Sequence, residues 1–253
     1  MEKKDALFTY CLRLADNSLV LAQRMCEWCG HGPILEEDIA MSNMGLDLLG
    51  QARGFYSYAA TVENKGRTED DLAFHRDERG FFNRCMVEQP NGNFGETMLR
   101  NFLYSTFAYL HFRSLVKSSD EVIAGLAEKA LKEITYHVRH TSGWIIRLGD
   151  GTAESHAKME EALPFIWQYT DELFEMDEVD QVIIREGIGC DLSDLRAEWD
   201  RMVDEVFAQA TLKRPAVKGY QSSGGIRGLH SEHLGHMLAE MQSLPRTYPG
   251  AEW

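Results

Sequence analysis

No stretch of this sequence is apolar for long enough to cross a bilayer, and none near its start has the length of a signal-peptide core. The opening MEKKDALFTYCLRLADNSLV interleaves charge with its apolar side chains. A cytoplasmic protein is expected. Positive charge is scarce too. Forty acidic residues against 26 basic ones give a formal charge of −14, a surface that repels phosphate backbones and anionic membranes. Nucleic acid and lipid surfaces are therefore poor partners, whereas a basic protein would be a good one. Five cysteines is an odd number, and 253 residues can build a sizeable core without covalent staples. Reduced thiols are the plain reading. Strand alternation of useful length and internal repeats are both missing. SSGG at 222–225 lacks the lysine and the strand–loop–helix setting of a phosphate cradle.

What is present is helical period. Over residues 7–27, Leu12, Ala15, Leu19, Ala22 and Cys26 recur three or four apart until CGHGP ends the run. A second helix spans about 36–62, with Met41, Gly45, Leu49, Ala52, Tyr56 and Ala59 as one inward stripe. Met44, Leu48, Gln51 and Phe55 form its neighbour. ENKGRTEDD is a surface connection, and LAFHRDERGFFNRCMVEQPNGNFG looks like a shorter helix closed by Pro90 and a turn at PNGN. A third long helix, about 94–117, carries Phe102, Tyr104, Phe107, Tyr109 and Phe112, as core or as a subunit interface. The fourth, about 121–148, aligns Leu131, Ile134, Val138, Thr141, Ile145 and Leu148. Helices follow around 154–175, kinked or divided at Pro164, and around 178–187 and 192–210. Residues 211–228, TLKRPAVKGYQSSGGIRG, read as an exposed, mobile loop before a closing helix with Ser231 as its N-cap. The pattern predicts an all-α bundle centred on four long helices, with residues 1–253 forming one domain.

Four such helices can hold a pair of irons when two supply one carboxylate each and two supply Glu-x-x-His, all pointing inward. Residues three apart share a helix face, so carboxylate and imidazole reach the same metals. This sequence fails that test at several points. The third helix has no Asp or Glu from Thr97 to Ser119. In the second, Asp47 is the only acid between Asp38 and Val62, and it is followed three residues later by Gly50. In the fourth, Glu133 precedes Tyr136 by three, while the residue three before His137 is Ile134. Only Glu27, in the first helix, is well placed. An alternative reading makes the chain a metal-dependent enzyme in its own right, using Glu27, Asp47, Glu133 and His137 after a rotation of the helices.

Other chemistry-bearing groups have bland readings beside the sharp ones. Cys26 and Cys29 form a C-x-x-C, but no strand precedes it and no second pair accompanies it, so packing is preferred to redox or zinc chemistry. His230, His233 and His236 sit three apart, and the start of an amphipathic helix explains them without a metal.

The segments LRLADNSLVLAQRMCEWCGHGP, GLDLLGQARGFYSYAA, LAFHRDERGFFN, VEQPNGNF and GLHSEHLGHMLAEMQ resemble the C subunits (PaaC type) of ring-1,2-phenylacetyl-CoA epoxidases, over essentially the whole chain. That resemblance implies a ferritin-like bundle with additional C-terminal helices, and a non-catalytic companion of the related catalytic A subunit. It places the di-iron centre in that A subunit and implies no cofactor in this chain. The family's complex converts phenylacetyl-CoA to a ring epoxide with dioxygen, taking electrons from NADPH through a separate reductase subunit. A homodimer is a further possibility. The catalytic subunit's Asp-Glu-x-Gly-His looks like the counterpart of Asp47-Leu48-Leu49-Gly50-Gln51, so Leu48 stands at a Glu ligand position and Gln51 at a His position. Its second Glu-x-x-His falls on Ile134 and His137, and its first-helix Glu on Glu27. The resemblance thus implies a stripped ligand set and no catalytic residue here. Glu27 and His137 are expected to remain as a hydrogen-bonded pair in a metal-free core.

Overall fold

A computed structural model describes residues 1–216 and 219–251, in which helices joined by turns and loops occur with no strand among the described residues. Two long helices open the chain, α1 (Lys3–Cys26) and α2 (Leu35–Glu63). Two short ones, α3 (Glu69–Phe74) and α4 (Cys85–Glu88), lie in the crossover that follows. The second long pair is α5 (Phe94–Leu115) and α6 (Glu121–Gly149). After these come α7 (Ala153–Trp167), α8 (Glu178–Arg185), α9 (Arg196–Gln209), α10 (Glu232–Met241) and α11 (Ser243–Thr247).

Local chemistry fixes the ends of the long helices. Asn93 accepts hydrogen bonds from the backbone N–H groups of Gly95 and Glu96 at the start of α5, and Asp120 accepts from Val122 and Ile123 at the start of α6. Each occupies donors that the helix leaves unpaired. Asn64, in the left-handed conformation, stops α2.

The four long helices form a square in which every neighbouring pair is antiparallel. α1 packs on α2, α5 on α6, and α2 on α6. Tyr10 meets His111 near one end of α1 and Met25 meets Asn101 near the other, so α5 closes the square. α8 covers α1, while α7 and α9 cover α5, so α1 and α5 are buried almost all round. α2 and α6 form the outer layer. The aromatic residues of α5 go to the core: Phe102, Tyr104, Phe107 and Phe112 are all at most 5% exposed.

Several local expectations are corrected. Residues 72–93 make no continuous helix. Buried side chains take the backbone donors that a helix would have used: Asp16 accepts from the Phe82 N–H, Asn17 from Arg84 and Glu172 from Cys85. The 211–228 segment, whose residues 217 and 218 lie outside the described residues, is no exposed loop over its second half. Ser222, Gly224, Gly225, Ile226 and Gly228 are buried, and the N–H groups of Gly224 and Gly225 donate to the carboxylates of Glu175 and Glu172. A Cβ at Gly225 would stand 2.3 Å from the Asn83 carbonyl oxygen, so the glycine there permits close packing and confers no mobility. Leu49, assigned to the inward stripe, is 38% exposed. It lies about 100° round the helix from Leu48, and the buried arc through Met44, Leu48, Ala52 and Phe55 leaves it outside. Finally, α7 runs through Pro164 and ends one turn later at Trp167, and Ser231 stands at the N-cap of α10 without a side-chain cap bond.

Candidate functional site

The centre of the square is where a four-helix metal protein places its ligands, and here it is hydrocarbon. Leu48 is 2% and Ile134 1% exposed, in one buried apolar cluster that also contains Met25, Met41, Met44, Phe55 and Phe102. Full burial of each aliphatic side chain contributes about 1.5–3 kcal/mol. A carboxylate in either place would need a metal or a cation to offset its desolvation.

The polar candidates lie along the seam between α2 and α6. Gln51 Nε2 donates to Glu133 Oε2 at 2.9 Å, and His137 Nε2 lies 3.2 Å from Asp47 Oδ2. His137 is buried, but Asp47 keeps about a third of its side chain in solvent. One turn on, His140 Nε2 comes within 2.9 Å of Glu37 Oε2 without hydrogen-bond alignment. Burial lowers the His140 pKa against the opposing pull of Glu37. These pairs tie the open sides of two helices together across the bundle surface.

Glu27 takes no part in the seam. It caps the end of α1 with its side chain one-third exposed, where Arg24 donates to it at 2.9 Å and Asn91 at 2.9 Å. The expected Glu27–His137 pair does not form. The structure joins Asp47 to His137, gives Glu133 to Gln51 and turns Glu27 toward the 91–93 turn, so the four residues of the enzyme alternative do not converge. α5 contributes a buried amide, Asn101, whose Nδ2 donates to Met25 Sδ at 2.8 Å. These residues do not fit an iron pair, and no step can be derived through one.

Among the described residues, one trio of metal-ligand type has its donor atoms within 4.8 Å of one another: Cys85, Glu88 and His230. Its hydrogen bonds are already complete. Both carboxylate oxygens of the fully buried Glu88 are used, one by the Ser231 N–H at 2.6 Å, the other by Asn83 and His230 at 2.9 Å. The second nitrogen of His230 faces the Phe81 carbonyl at 2.8 Å. Acceptors at both nitrogens call for a proton on each. Burial opposes that charge, but Glu88 outweighs it and the His230 pKa is raised. The trio is a buried ion pair that clamps the start of α10 to the crossover. His233 is half-buried and His236 exposed, so the three histidines share no site.

Sequence reasoning missed the buried charges. Asp16, 0% exposed, accepts from Tyr56 at 2.5 Å, from Arg76 and from the Phe82 N–H. Arg13 bridges Asp177 and Asp180, and Arg84 donates to the Glu172 carbonyl. The only signal for them was charge at positions a core helix would give to apolar residues. Beside Arg13 and Arg84 lies a cavity of about 30 Å³, lined also by Tyr10, Tyr104 and His111. That is room for a water or two, and far too little for an acyl thioester.

Fold and centre together define a ferritin-like helical bundle with buried aliphatic side chains between its long helices. The chain belongs to the family described as Phenylacetic acid catabolic protein, which it matches over residues 1–253. It is 50% identical over 247 residues to the C subunit of 1,2-phenylacetyl-CoA epoxidase from Escherichia coli (strain K12), an alignment covering 98% of this chain and 99% of that protein. Among the described residues no helix is long and apolar enough to cross a membrane.

Proposed function

We propose that this chain is the non-catalytic structural subunit of a multicomponent phenylacetyl-CoA ring epoxidase of the cytoplasm, where it binds and stabilises the catalytic di-iron subunit. The observation that carries this reading is the burial of aliphatic Leu48 and Ile134 between the long helices, with Glu27 turned away from His137. The near-full-length relationship to the C subunit of such an epoxidase supplies the assembly and the substrate. Iron, dioxygen chemistry and electron entry through the reductase belong to the other subunits on this reading. This bundle supplies rigid support for helices that must hold their ligands to within fractions of an ångström.

Purification of the chain alone and together with the catalytic A subunit tests the proposal. The expected result is a stable complex in which iron follows the A subunit, with less than about one-tenth equivalent of iron, manganese or zinc on this chain alone. One equivalent of a metal on the isolated chain, removed by H137A, would establish the enzyme alternative instead. That alternative draws on one contact, Asp47 to His137.

A further inference from the structure

The outer face of α2 carries a second apolar pattern that the bundle does not use. Leu35, Ile39, Ser42, Leu46, Leu49 and Arg53 follow one another at spacings of 4, 3, 4, 3 and 4, the repeat of a coiled-coil seam. Leu35 is 72% exposed, Ile39 52%, Leu46 63% and Leu49 38%. Four large aliphatic side chains in line on one long helix exceed the scattered exposure of an ordinary surface. Two clefts flank the Leu49–Arg53 end of this ridge. One, of about 190 Å³, lies toward α3 and is lined by Leu49, Ala52 and Phe74. The other, of about 250 Å³, lies toward α6 beside Gly50, Gly54 and Leu126. The exposed aliphatic row supplies the ridge, and the clefts at its end supply grooves, for the ridge-into-groove packing of another helix.

We propose that this face of α2 is the docking surface for a long helix of the catalytic subunit, packed along the 35–53 seam. This rests on the reading that the chain is a companion subunit, and it names the surface. Heptad spacing specifies an α-helix as the occupant, because the repeat keeps a helical partner in register over five turns. Charge selects which helix. Glu36 is exposed beside Leu35 at one end of the seam, and Arg53, its side chain 78% exposed and its Nε donating to Glu69 of α3 at 3.3 Å, stands at the other. A complementary helix presents a base opposite Glu36 and an acid opposite Arg53. A second copy of this chain is disfavoured, since it would bring two molecules of charge −14 together.

The test compares Leu46→Glu with Leu244→Glu, a substitution at a 56% exposed leucine on α11. Binding to the purified catalytic A subunit is measured by calorimetry, helicity and melting by circular dichroism, and the mass of each chain alone by sedimentation. L46E is expected to keep its helicity and melting temperature and to bind at least ~10-fold more weakly, while L244E binds like the parent. Equal binding by L46E and the parent overturns the docking surface and leaves the companion reading intact. A parent that sediments as a dimer, becomes a monomer through L46E and still binds the A subunit would assign the seam to a second copy. Failure of the parent itself to bind would remove the companion reading and this surface together.

Discussion

Leu48 and Gln51 stand three residues apart on α2 and meet different surroundings. Leu48 fills hydrocarbon space, while Gln51 reaches sideways to Glu133. An amide can do this because it donates without carrying charge. Placing a carboxylate at position 48 should therefore be costly. Leu48→Glu is expected to destabilise the chain by about 3–5 kcal/mol, the penalty of an unpaired buried charge. Urea unfolding with and without ferrous iron checks this. Recovery of stability with iron would contradict it, because α5 has no carboxylate from Thr97 to Ser119 to complete a site.

At the scale of elements, the long helices were legible and the segments between them were not. Apolar residues at three- and four-residue spacing placed α1, α2, α5 and α6 to within a few residues. Residues 72–93 and 222–228 could not be read this way, since their backbone donors are satisfied by carboxylates and an amide from distant helices. Gly225 shows the difference. Its composition suggested a free loop, and its environment demands the absence of a side chain. Gly225→Ala should lower stability by about 2 kcal/mol or more, whereas Ser223→Ala, at an exposed neighbour, should stay within about 0.5 kcal/mol. Thermal melts of the two variants side by side decide it. The candidate site was half legible in the same sense. The missing carboxylate of α5 and the aliphatic character of positions 48 and 134 could be read directly. The pairing of His137 with Asp47, and of Glu27 with Arg24 and Asn91, depended on side-chain directions that spacing leaves open.

For the molecule as a whole, two buried histidines set opposite limits on stability against pH. His111 is neutral, its pKa pushed down to about 3 by burial and then by Arg84, and Tyr10 Oη lies 2.8 Å from its Nε2. The unfolded chain takes up that proton near pH ~6.5, so stability falls as pH drops from there toward 3, at up to ~1.4 kcal/mol per pH unit. His230 works in reverse. Its raised folded pKa gives stability that is complete below pH ~6.5 and lost as pH rises through the folded value. Urea midpoints measured from pH 4 to 9 should show H111Q flattening the acid limb and H230Q flattening the alkaline one. Unchanged slopes in either variant would contradict the corresponding assignment.

Helical period and scarce positive charge were enough to determine an all-α chain with an acidic surface, and one long helix without acids from Thr97 to Ser119 was read directly. Each is a property of residues near one another in sequence, and a helix converts such spacing directly into a face. Only the tertiary structure decided which of two apolar faces of α2 enters the core, where Glu27 points, and how Asp16, Glu88 and Glu172 are neutralised. Those outcomes depend on partners tens to more than a hundred residues away, brought together by packing that no local pattern encodes.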